Sequence, residues 1–68
     1  MREWAVTYYD ENAESIDCDI LTVDEPDVLM ESFLRLESNP DIAKVIVRLI
    51  TENGLSGIPF AVINKVVS

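Results

Sequence analysis

The side chains with chemical potential in this 68-residue chain are 13 carboxylates and one thiol, Cys18, with no histidine. Without an imidazole, neither Cys18 nor any serine has its usual base, so residue types alone argue against a nucleophilic triad. Paired-carboxylate catalysis needs one acid desolvated and its pKa raised. A core this small offers little cleft for that, and the acids read as solvated groups on a strand face and in loops. Cys18, at alternate positions with Ile16 and Ile20, reads as a small core residue. The expectation is a protein that is not an enzyme and uses no cofactor.

Cation binding fails a similar test. Asp10, Asn12 and Glu14 occupy the first, third and fifth positions of a calcium loop of the EF-hand type, where alternate oxygens converge on a hard cation. The sixth position is Ser15, where glycine makes the sharp turn, and the twelfth is Leu21, where a bidentate glutamate belongs. A structural zinc site lacks both histidine and a second thiol. Gly54-Leu55-Ser56-Gly57 carries no lysine for a phosphate cradle. No metal site is expected.

Charge is the more informative property. Ten acids and one base lie between Met1 and Glu31, a net of −9, while Ser32 to Ser68 carries three acids and four bases, which recovers the total of −8. This sign disfavours bare nucleic acid and anionic membrane, both of which are bound through lysine and arginine. A dense negative field steers basic surfaces instead, including the groove of an enzyme that handles nucleic acid. Asp17 and Asp19 share a strand face about 7 Å apart; Asp10, Glu11 and Glu14 precede them, and Asp24, Glu25 and Asp27 follow. These eight form the candidate partner-binding set, a row of carboxylates able to stand in for phosphates. In general character such size, acidity and lack of chemistry resemble the small inhibitors that phages use against restriction or CRISPR enzymes. The competing expectation is a self-associating structural or regulatory module, in which a homodimer hides apolar surface of Trp4, Tyr9 and the segment from Asp41 to Asn53.

The elements that must position these groups follow from periodicity. Arg2 to Asp10 alternates Trp4, Val6 and Tyr8 against Ala5, Thr7 and Tyr9, a strand pattern rich in aromatic and β-branched residues. Ile16 to Val23 alternates Ile16, Cys18 and Ile20 against Asp17 and Asp19, and the short polar connection makes the pair an antiparallel hairpin. Asp24 is a candidate N-cap, with Pro26 in the first turn of a helix that runs to about Ser38 on a stripe of Leu29, Met30, Phe33, Leu34 and Leu36.

Asp41 to Asn53 satisfies two templates. Ile42, Val45, Ile46, Leu49 and Ile50 fall at helical spacing, whereas six β-branched residues suit a strand. Strand alternation would put Lys44 and Arg48 on one face with Ile46 and Ile50, so the spacing is taken as a second helix, stopped at Asn53-Gly54. Phe60 to Val67 closes the chain as a strand. One domain over 1–68 is expected: a small α+β fold with a single-layer antiparallel sheet and two helices packed on one face, in the order β-β-α-α-β. The absence of an apolar span or basic leader, together with a lone thiol, places it in the cytoplasm.

The passage from Leu49 to Asn64, with Gly57-Ile58-Pro59 at its centre, resembles the helix, Gly-Ile/Val-Pro and strand passage of thioredoxin-like proteins, including arsenical-resistance metallochaperones. In that family the proline is cis, which makes Ile58-Pro59 a cis candidate. The family's paired-cysteine loop after the first strand is absent, since Asp10 to Ser15 holds no thiol. The resemblance therefore implies a truncated thioredoxin-like domain without redox activity.

Overall fold

The computed structural model describes residues 1–66. It comprises β1 (Arg2–Tyr9), β2 (Ser15–Val23), α1 (Glu25–Ser38), β3 (Lys44–Thr51), β4 (Gly54–Leu55) and β5 (Ala61–Asn64). The strands form one antiparallel sheet in the order β2-β1-β3-β4, with β5 also pairing β3. β1 therefore lies between β2 and β3, and α1 is the crossover that carries the chain from one flank of β1 to the other.

The second helix expected at 41–53 is corrected by this arrangement: the described residues hold five strands and a single helix, and Lys44–Thr51 is a strand. β3 is a central strand, paired along one side by β1 and along the other by β4 and β5. Its β-branched residues suit that setting. Val45 and Val47 are fully buried toward the helix, while Lys44, Ile46 and Arg48 keep part of their surface on the opposite face. That opposite face is open to solvent, which removes the objection to placing Lys44 and Arg48 beside Ile46. Lys44 lies 5.5 Å from the centre of the Tyr9 ring, and the Arg48 guanidinium donates to the carbonyls of Ser56 and Gly57 at 3.3 and 3.1 Å. Long cationic side chains cover apolar surface with their stems while their heads find polar partners.

The core lies between the sheet and α1. Trp4, Val6 and Tyr8 of β1 meet Val45 and Val47 of β3, Val28 and Leu36 of the helix, and Ile42 from the connection. The Trp4 indole donates to the Val23 carbonyl at 2.9 Å, which ties the end of β2 to the core. In α1 the buried row is Val28, Ser32 and Leu36, at i, i+4 and i+8. Of the expected stripe only Leu36 is buried and Leu29 packs against the core; Met30, Phe33 and Leu34 are exposed. The Ser32 hydroxyl donates to the Val28 carbonyl at 2.7 Å, so its burial leaves no polar atom unsatisfied. Trp4 is fully buried and contributes nothing to an associating surface. The last strand is shorter than expected, Ala61–Asn64, and Val67 of the expected range lies outside the described residues. The Ile58-Pro59 bond is trans.

The β1–β2 connection is a type I turn followed by a left-handed residue. Ala13 N–H donates to the Asp10 carbonyl at 3.1 Å, Asp10 N–H to the Glu14 carbonyl at 3.0 Å, and Ala13 takes φ 63°. Glycine or asparagine is favoured at such a position, because a Cβ crowds the following carbonyl there. Ala13→Gly is expected to stabilise the protein by about 0.5–1 kcal/mol, read as a higher midpoint in urea with an unchanged slope; an unchanged or lower midpoint would contradict the strain.

Candidate functional site

The register fixes where each acid points. β1 pairs β2 with Val6 opposite Asp19, Tyr8 opposite Asp17 and Trp4 opposite Leu21. Residues directly opposite share a face, so Asp17 and Asp19 project on the helix side of the sheet with Leu21 and Val23. Cys18 and Ile20, opposite Thr7 and Ala5, project on the open side, and Ile16 is the extra residue of a bulge between the Tyr8–Asp17 and Tyr9–Ser15 pairs. This reverses the expected assignment of β2: Cys18 is exposed, with the Thr7 hydroxyl 3.6 Å from its sulfur. The cause is the interior parity set by Trp4, Val6 and Tyr8, together with a cation that only the folded chain supplies. Arg35, in the last turn of α1, donates from Nη2 to Asp17 at 3.0 Å and from Nη1 to Asp19 at 3.1 Å, while its guanidinium carbon stands 5.0 Å from the centre of the Tyr8 ring.

The other acids flank this cluster. Asp10, Glu11 and Glu14 gather at the hairpin tip; Asp24, Glu25 and Asp27 gather at the start of α1, beyond the opposite end of β2. Since β2 spans eight rises of about 3.3 Å, the two groups are separated by about 26 Å along one flank of the molecule. The eight expected residues thus lie along one strand and its two ends, but they are not equivalent. Asp10 is committed to the turn, where its carboxylate accepts the N–H groups of Asn12 and Glu14 at 2.9 and 3.0 Å. Asp24 occupies the N-cap position with extended backbone, yet its side chain makes no capping hydrogen bond. Glu11, Glu14, Glu25 and Asp27 are exposed.

Arg35 is the residue that sequence reasoning missed. It contacts acids 16 and 18 positions away, and no local periodicity marks such a pairing. Burial raises the Tyr8 phenol above its ordinary value of 10.0, reinforced by the Asp19 charge and opposed by Arg35. Among the described residues no group of three or more acidic, cysteine or histidine side chains is placed to hold a metal ion. Nor is any helix among them long and apolar enough to cross a membrane. A cavity at the hairpin tip is lined by Asp10, Glu11, Asn12, Ile16, Pro40 and Asp41. Comparison with family models, curated proteins and solved structures finds no match.

Because the folded chain holds the Tyr8 proton more tightly than the unfolded chain does, its contribution to stability is intact below pH 10 and is lost as pH rises beyond. The free energy of unfolding is expected to fall across that alkaline range, and Tyr8→Phe to fall less steeply. Parallel curves for the two proteins in alkaline urea titrations would contradict the assignment.

Proposed function

We propose that the protein is a non-enzymatic interaction module whose acidic flank docks on a basic surface of a protein partner, as a mimic of nucleic acid of the kind found in phage-type inhibitors. The observation that carries the reading is the placement of the acids: those of the hairpin tip, β2 and helix start lie along one strand and its two ends and outnumber the cations among them, Arg35 and the Met1 ammonium, whereas Lys44 and Arg48 sit on β3. A flank of net negative charge accelerates encounter with a cationic groove and repels bare nucleic acid. Arg35 leaves Asp17 and Asp19 with one uncompensated negative charge between them and holds their carboxylates in place. Pre-organised acids lose less entropy on binding than freely rotating ones. The reading places the protein in the cytoplasm.

The ion pairs decide which residues test it. Reversing Asp17 or Asp19 would set a cation against Arg35, and altering Asp10 would loosen the turn, so the clean variant is Glu11→Gln, Glu14→Gln, Glu25→Gln and Asp27→Asn together. Capture from a host lysate at low salt, followed by salt elution, should recover about tenfold less bound protein with this variant. Undiminished recovery removes the flank as the site.

A homodimer is the second reading, favoured by the uncovered sheet face, where Ile20, Leu55 and Val62 are all more than two-fifths exposed. Apolar association survives screening, whereas contacts between charges weaken. Sedimentation equilibrium in 1 M salt should then report a dimer, and a monomer there excludes it.

A further inference from the structure

We propose that the outer edge of β2 accepts an extended segment of a protein partner as an added strand, and that this segment alternates cationic with apolar residues. The proposal rests on the reading of the acidic flank as a docking surface and specifies what docks there. Among the described residues β2 pairs only with β1, so its far side is an unpaired edge nine residues long. Such an edge is a template for another strand. The opposite side of the sheet offers no equivalent, because β4 and β5 have two and four residues and Pro59 lies between them.

The hydrogen-bond parity identifies the free groups. Ser56 N–H donates to the Leu49 carbonyl and Phe60 N–H to the Val47 carbonyl, so odd-numbered residues of β3 turn toward β4 and β5 and even-numbered ones toward β1. Alternation through the two registers then turns Trp4, Val6 and Tyr8 toward β2, answered by Leu21, Asp19 and Asp17. The backbone groups of Cys18, Ile20 and Thr22 consequently face outward. The Asp17 carboxylate accepts the Cys18 N–H at 2.8 Å. The Cys18 carbonyl and both groups of Ile20 and Thr22 remain for an incoming strand.

Side chains define that strand's chemistry. On the helix side it runs beside Asp17 and Asp19; on the open side it runs beside Cys18, which is exposed, and Ile20, which is 59% exposed. Residues alternate faces along a strand, so the complementary sequence alternates lysine or arginine with aliphatic residues. A second copy is the wrong occupant. Antiparallel pairing of two β2 strands about their middle brings the hairpin-tip acids of one copy beside the helix-start acids of the other, and like charges facing each other across a ladder are destabilising.

The test uses a capped nonapeptide alternating lysine and valine, and the same peptide N-methylated on its valines. In this register the valine amides face β2, so methylation removes the ladder and leaves the charge. The parent peptide should shift the Ile20 and Thr22 amide resonances, and methylation should weaken binding at least about tenfold. Ile20→Pro in the protein retains every carboxylate and should weaken the parent peptide comparably, since an outward-facing N–H is where an edge strand tolerates proline. Equal affinity of the two peptides for the unaltered protein overturns strand addition while leaving docking by charge in place. No binding of the parent peptide also overturns it, and docking by charge falls with it only if the four-acid variant captures as much as the unaltered chain. Ile20 and Thr22 amides already protected from exchange in a dimer of the free protein overturn it in favour of a second copy.

Discussion

The placement of Trp4, Val6 and Tyr8 on one side of β1 is the constraint from which the other assignments follow. β1 is bonded along both sides, to β2 and to β3, so its parity is transmitted to each neighbour. Through β3 it sends Val45 and Val47 under the helix and Lys44, Ile46 and Arg48 to the opposite face. Through β2 it sends two aspartates toward α1. A one-residue slip of β3 against β1 would exchange its faces, burying lysine and arginine and exposing the valines, and a slip of β2 would turn Cys18 and Ile20 toward the helix in place of the aspartates.

The aspartates show how that constraint is reconciled with solvation. Charged groups beside a core are costly unless paired, and Arg35 supplies the pair from the last turn of the only described helix. These ion pairs are partly exposed, with side-chain accessibilities of 34–51%, so each is worth well under about 1 kcal/mol in isolation. Their importance is geometric. One guanidinium fixes two carboxylates of β2 and stands over the Tyr8 ring, which joins helix, edge strand and central strand through a single side chain.

Much of the frame was legible in the residues themselves. The aromatic and β-branched alternation of β1, the brief polar connection to β2, and Pro26 near the start of α1 each have a local physical cause. Two features were not. Asp41 to Asn53 meets the helical and the extended template at once, and what selects the strand is its pairing with partners on both sides, which is information held elsewhere in the chain. The orientation of β2 was obscured because both its faces carry apolar residues: Leu21 and Val23 on one, Cys18 and Ile20 on the other. The aspartates appeared to break the tie by marking a solvent face, but a distant arginine reverses their meaning. The candidate acids themselves were readable from charge alone. Their unequal employment, Asp10 in a turn and Asp17 and Asp19 in ion pairs, was not.

The uncovered side of the sheet carries one further implication. A face bearing Ile20, Ile46, Leu55 and Val62 without a lid is colloidally fragile, and mutual repulsion between molecules bearing −8 is a force that keeps such faces apart in dilute buffer. With an isoelectric point near 4.1, mild acid erodes that repulsion while leaving the greasy layer unchanged. The carboxylates thus serve as a dispersant for the chain's own bare side, independently of anything they attract.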